Sequence, residues 1–190
     1  MDAFGHVMSL VAIVFALAVT HLLTCAIKLF RAGSRIQLSF AHAIWMASSL
    51  FMVLAWWLAL WDFRLLKSFD VGFVVFTLAG AILIYVYTGL VCPEVPKEGV
   101  LNLADFHRTH GRQYIGCYLV LNLVSLVYGG LYGYFYGVPE QYAQDTMILV
   151  FLSISLVAWI GRSNTLQTLS AAALLVAYPV YFYVGQQPLQ

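Results

Sequence analysis

Six long stretches of the chain contain no charged residue, and this feature limits the fold more than any other. An α-helix rises about 1.5 Å per residue, so about 20 residues cross the hydrocarbon core of a bilayer. All the stretches reach that length except 146–161, which Asp145 and Arg162 flank. The stretches are 3–27, 36–61, 71–93, 113–139, 146–161 and 163–190. We therefore predict an all-α, polytopic membrane protein with a bundle of six transmembrane helices.

The apolar runs are continuous, whereas the strands of a membrane barrel alternate between apolar and polar residues. Only helices and closed barrels satisfy their backbone groups in lipid, so the runs favour helices. Asn102 or Asp105 is expected to cap the start of the fourth helix. The sequence predicts one integral membrane domain over residues 1–190, with spans near 5–30, 37–62, 70–92, 108–136, 145–161 and 165–185.

The composition supports a lipid environment. Hydrophobic residues make up 63% of the chain and charged residues only 9%, against about a quarter in soluble proteins. The net charge of +1 leaves no basic face for a nucleic acid, so the lipid bilayer is the expected partner. The three cysteines include no Cys-x-x-Cys pair that would suggest zinc or thiol redox chemistry.

The distribution of Lys and Arg predicts the orientation. Seven of the nine lie in or beside the first, third and fifth loops, and the second loop holds the other two, Arg64 and Lys67. By the positive-inside rule, loops 1, 3 and 5 are predicted to be cytoplasmic, with both termini outside. We expect an integral plasma membrane protein of the bacterial inner-membrane type.

Few polar groups lie at mid-membrane depth. His21 lies ten residues before Arg31, about 15 Å from the end of the first helix, and Thr24 lies one turn away. His42 is expected at a similar depth in the second helix. Three interpretations are open for the two histidines: hydrogen bonds that tighten the bundle, which is favoured, a proton path or pore lining, and ligation of a metal ion or a b-type haem.

The fourth predicted helix combines polar and small residues. Gly129, Gly133 and Gly137 repeat at four-residue spacing, a pattern that lets helices approach closely. This predicts a packing seam within the chain, with a homodimer seam or a pore-facing strip as alternatives. The candidates for a pore or a proton path are His21, Thr24, His42, Asn122 and Ser125.

A cluster of basic residues lies at the entrance of this helix. Arg108, Arg112, His107 and His110 fall within six residues, and Asp105 is placed to pair with Arg108. The favoured interpretation is a solvated helix entrance at the lipid surface. The alternative is a site for an anion or a lipid head group near the positive end of the helix.

Three hypotheses for function follow from these features. The first is a small channel or transporter, or a subunit of one, with no cofactor. The second is a membrane redox protein that binds haem b or a metal ion through His21 and His42. The third is a non-catalytic assembly or signalling subunit, either a homo-oligomer or bound to a membrane partner. The chain lacks Gly-x-Ser-x-Gly and has no carboxylate at mid-membrane depth, so no motif indicates a hydrolase.

Overall fold

The structure is a computed structural model that describes residues 3–65, 70–136, 142–161 and 163–185. Its α-helices are α1 (Ala3–Ala32), α2 (Phe40–Trp61), α3 (Val71–Val91), α4 (Leu103–Tyr136), α5 (Tyr142–Ile160) and α6 (Asn164–Gly185). Five of them are long and apolar enough to cross a membrane, whereas the apolar part of α5, Asp145–Ile160, is shorter. The prediction of an all-helical chain with apolar, membrane-type helices is confirmed, and the count of six spans stays a prediction.

Helix α4 begins at Leu103, five residues before the predicted start at residue 108. The cause is a side-chain cap, because Asn102 Oδ1 accepts hydrogen bonds from the backbone N–H groups of Ala104 (2.9 Å) and Asp105 (3.3 Å). Of the two expected caps, Asn102 is therefore the one used. The other predicted boundaries lie within three residues of the observed ones.

A short parallel strand pair, which the sequence did not predict, joins two loops. Strand β1 (Ile36–Gln37) pairs with β2 (Leu101–Asn102), and the Arg35 guanidinium donates a hydrogen bond to the Lys97 carbonyl at 3.1 Å. The loops that follow α1 and α3 consequently lie at the same end of the bundle. The positive-inside count assumes this arrangement, and the side of the membrane that this end faces stays a prediction.

Helices α2 to α6 form a closed ring. Each contacts the next along the chain, and α6 packs back on α2, while α1 packs outside the ring against α3 and α2. Many large apolar side chains point outwards, among them Ile13, Val75 and Val176. Such a surface suits lipid. The interior of the ring is filled by fully buried aromatic side chains, namely Trp45, Tyr87, Tyr114, Tyr118 and Tyr178.

A glycine allows a close approach between α2 and α3. A Cβ built at Gly80 would overlap the Trp56 ring, so a larger residue has no room there. At Gly129, a Cβ would only touch an Asp145 carboxylate oxygen at 3.7 Å. This close contact belongs to α2 and α3 and not to the predicted glycine seam of α4.

The rest of that seam is not tested. Gly133 belongs to the last turns of α4, and Gly137 lies outside the described residues. The seam on α4 stays a prediction.

Candidate functional site

A cavity of about 590 Å³ lies between the start of α4, the end of α5 and the start of α6, at the end of the bundle where β1 and β2 pair. Three of the four residues predicted as an anion or head-group site, His107, Arg108 and Arg112, line this cavity, together with Asp105 and Gln167. The fourth, His110, stacks on Phe106 with ring centroids 4.6 Å apart and is not a lining residue. We call this cavity the interfacial pocket.

The two arginines of the interfacial pocket differ in their partners. Arg108 pairs with Asp105 one turn earlier, as predicted. The Arg112 guanidinium lies 5.5 Å from the ring centroid of Trp159, and its Nε donates a 3.4 Å hydrogen bond to the Trp159 carbonyl. Among the described side chains, Arg108 and Asp105 form the only ion pair, so the charge of Arg112 is not compensated by a carboxylate.

His107 connects the interfacial pocket to the interior of the ring. The Gln167 amide donates to the carbonyls of Ala158 (2.5 Å) and Gly161 (2.7 Å), which turns its Oε1 towards His107 Nε2 at 3.1 Å. Because Oε1 can only accept, Nε2 carries the ring proton. His107 Nδ1 then accepts a hydrogen bond from the hydroxyl of Tyr114, which is fully buried.

His42 lies behind this pair of residues. Its ring centroid is 6.5 Å from that of His107 and 6.2 Å from that of Tyr114, and its side chain has no exposed surface. Neither of its ring nitrogens has a hydrogen-bond partner. A buried polar group without a hydrogen-bond partner lowers the stability of a fold, and most buried polar groups have one. The burial of His42 therefore requires a physical explanation.

Further hydrogen bonds continue along α4. The Tyr118 hydroxyl lies 2.9 Å from that of Tyr178, which donates to the Ser48 carbonyl at 3.1 Å, so Tyr118 is the donor to Tyr178. Asn122 is buried and donates to the Tyr118 carbonyl at 2.8 Å.

At the far end of α4, the Tyr128 hydroxyl lies 2.8 Å from the Thr77 hydroxyl. We call the buried residues on this side of the helix the polar face of α4: His107, Tyr114, Tyr118, Asn122 and Tyr128.

Two of the predicted path residues lie on the outside of the bundle. His21 and Thr24 are exposed on α1, and the His21 ring contacts Tyr85 of α3 with centroids 6.2 Å apart. Ser125 is half-buried and donates to the Leu121 carbonyl of its own helix at 2.9 Å. Of the predicted path residues, only His42 and Asn122 are buried in the bundle.

The structure does not bring His21 and His42 together. His42 lies in the first turn of α2, whereas His21 lies eleven residues before the end of α1, so the expected similar depth was wrong. The rings contact different helices, α3 for His21 and α4 for His42. Within the described ranges, no group of three or more His, Cys, Asp or Glu residues is placed to hold a metal ion. The haem or metal hypothesis therefore stays a prediction without a shared site.

Two cysteines meet at the same end of the bundle. Cys25 of α1 is buried, and Cys92, which follows α3, is half-buried. A hydrogen bond with the Cys25 thiol and burial raise the pKa of the Cys92 thiol. Cys92 consequently remains protonated and is a poor nucleophile.

The sequence contains a signal for the polar face of α4 in the spacing of its residues. Tyr114, Tyr118 and Asn122 follow His107 by 7, 11 and 15 residues, a spacing that places all four on one side of a helix. Gln167 gave no such signal, because its partners lie on α4 and at the end of α5.

Comparisons of the chain with protein-family models, with curated proteins and with solved structures give no match.

Proposed function

We propose that this protein is a small membrane transporter, or a subunit of one, that moves protons along the polar face of α4. The observation that carries the proposal is the series of buried imidazole, hydroxyl and amide groups along one side of α4. Tyr128 follows His107 by 21 residues, about 31 Å along the helix axis, which matches the thickness of a hydrocarbon core.

The chemistry of these groups suits protons better than larger ions. Imidazole and phenol groups both accept and donate hydrogen bonds, so a proton can pass between them without an open pore. Large aromatic side chains fill the interior of the ring, and they leave little room for a hydrated ion.

The first step takes place at His107. The Nε2 proton leaves towards the interfacial pocket while Nδ1 takes the proton of the Tyr114 hydroxyl, so the ring ends neutral with its proton on the other nitrogen. Tyr114 regains a proton from the interior of the ring. The starting tautomer is restored when the His107 ring turns so that Nδ1 releases its proton to water in the interfacial pocket and Nε2 takes a proton from water there. Tyr118 lies one turn from Tyr114, about 6 Å along the axis, and the proposal places a bridging water between their hydroxyls.

His42 supports the same path. Its imidazole is buried beside Tyr114 and has two unpartnered nitrogens, so it is an acceptor within the interior for a proton on its way to Tyr114. This use accounts for a polar side chain that contributes no hydrogen bond to the fold.

The test is proton flux in liposomes. Purified protein is reconstituted with an internal pH-sensitive dye, and a potassium gradient with valinomycin drives proton entry. We expect flux above that of empty liposomes, and a decrease of about tenfold or more in Tyr114→Phe. Tyr85→Phe is the matched control, because it removes a tyrosine hydroxyl from the exposed surface of α3. Equal flux in the two variants, or wild-type flux no greater than that of empty liposomes, would refute the proposal.

The outer surface of α1 favours assembly as a second candidate function. His21 and Thr24 are exposed at mid-membrane depth, where lipid tolerates polar side chains poorly. The proposed occupant is a second copy of the chain, because an imidazole both donates and accepts and can therefore pair with its own copy across a two-fold axis.

Light scattering in mild detergent measures the oligomeric state of the protein directly. We expect a dimer that His21→Leu converts to a monomer, while His110→Leu, away from the mid-membrane surface, leaves the dimer intact. A monomeric wild-type protein would contradict assembly through α1.

A further inference from the structure

We infer that the interfacial pocket binds a phosphate-bearing anion through Arg108 and Arg112. The inference goes beyond the proposed proton path, since binding at the pocket requires no flux through the ring. Three features carry it: the volume of the cavity, the arrangement of its guanidinium groups and its net charge.

The two guanidinium groups are arranged for a tetrahedral ligand. Arg108 and Arg112 lie one turn apart on the same side of α4, and both line the cavity. A single planar fork satisfies a carboxylate, whereas two forks one turn apart can hold different oxygens of one phosphate. Trp159 supports Arg112 through its ring and its carbonyl, so this guanidinium is held in place before a ligand arrives.

The charge of the pocket favours an anion. Asp105 compensates Arg108, and Arg112 adds a positive charge without a carboxylate partner among the described side chains. The first turns of α4 also lie here, and the amide end of a helix attracts negative charge. His107 does not act as a ligand, because Gln167 and Tyr114 occupy both of its ring nitrogens.

The dimensions of the pocket indicate more than a bare ion. A volume of about 590 Å³ lies within the range of sites that bind small organic ligands. Ile115 and Ala158 supply apolar lining beside the arginines, which suits the organic part of a phosphate ester. Either a soluble phosphate ester or the head group of an anionic lipid provides this chemistry.

Binding experiments on the full chain in neutral detergent test the inference. Titration calorimetry with glycerol 3-phosphate measures the binding of a soluble phosphate ester. Native mass spectrometry measures the retention of an anionic lipid, phosphatidylglycerol, with phosphatidylcholine as the lipid without net charge for comparison. Binding of glycerol 3-phosphate assigns the site to a free anion, and selective retention of phosphatidylglycerol assigns it to a head group.

Variants connect the binding to the pocket. We expect Arg112→Gln to weaken binding by about tenfold or more, Arg112→Lys to retain part of it, and Asp105→Asn to strengthen it about threefold. The matched control is Arg64→Gln, because Arg64 lies over Trp61 in the same way, with 5.2 Å to the ring centroid, but lies outside the pocket.

Three results would overturn the inference. The first is that neither the ester nor the anionic lipid binds at millimolar concentration. The second is that Arg112→Gln and Arg64→Gln weaken binding equally. The third is that acetate binds as tightly as the phosphate ester. Proton flux is measured separately, so loss of the proton path alone would leave this inference intact.

Discussion

His42 is buried without any exposed surface, and neither of its ring nitrogens has a hydrogen-bond partner. Its neighbours are the rings of Phe106, His107 and Tyr114, which supply contact area but no hydrogen bond to it. An imidazole in such surroundings lowers the stability of the fold, because its ring nitrogens lose their hydration without compensation. If the side chain at position 42 served only packing, an apolar residue would stabilise the fold more than histidine does.

This reasoning predicts that stability and function respond in opposite directions at position 42. We expect His42→Leu to raise the free energy of unfolding by about 1 to 3 kcal/mol and to decrease proton flux. Thermal unfolding in detergent measures the first effect, and the liposome assay measures the second. A variant that loses stability would show that His42 makes hydrogen bonds, for example to buried water, and serves the fold.

At the scale of the elements, α2 and α3 are held in contact by a glycine. The absence of a side chain at Gly80 lets the Trp56 ring lie against the backbone of α3. The same ring stacks near Tyr128, the last residue of the polar face of α4, with centroids 6.5 Å apart. The spacing of α2 and α3 therefore also positions the far end of the proposed path.

We predict that Gly80→Ala lowers the thermal midpoint, with a cost of about 1 to 3 kcal/mol from overpacking against Trp56. Gly89→Ala on the same helix is the control, since a Cβ there meets nothing within 4 Å. Alanine has the better helix propensity, so the control should gain as much as about 1 kcal/mol. Equal effects of the two substitutions on the midpoint would show that α2 and α3 adjust freely.

The sequence predicted where the helices lie better than which side of each faces inwards. The length of a charge-free stretch reflects the thickness of the bilayer that a helix must cross, and these stretches located every helix. Inward and outward sides are harder to distinguish because both are apolar in a membrane protein. His21 was consequently expected inside and is exposed, while His107 was taken for a solvated group and lies against Tyr114 and Gln167.

At the scale of the whole molecule, loops 1, 3 and 5 gather at one end. The β1–β2 pair joins the first and third loops, and Gly161, which follows α5, lines the interfacial pocket together with Ala104 of α4. Seven of the nine Lys and Arg residues lie in or beside these three loops. The excess of Lys and Arg in the sequence thus coincides with the end of the bundle where these loops meet.

Labelling with a membrane-impermeant maleimide measures the predicted orientation. In a background with serine in place of Cys25, Cys92 and Cys117, we expect Ser34→Cys and Glu98→Cys to react only from the cytoplasmic side. Arg64→Cys should react only from the opposite side. Labelling of Ser34→Cys and Glu98→Cys from different sides would contradict the strand pairing itself.

The strand pair has a mechanical consequence for the molecule. It ties the start of α2 to the start of α4, and the hydrogen bond from Arg35 to the Lys97 carbonyl adds a second tie nearby. These two ties fix the distance between the starts of α2 and α4, so displacement of these two helices relative to each other is restricted most at this end and least at the opposite end. The interfacial pocket lies at this same end, so the α4 residues that line it are where such displacement is smallest.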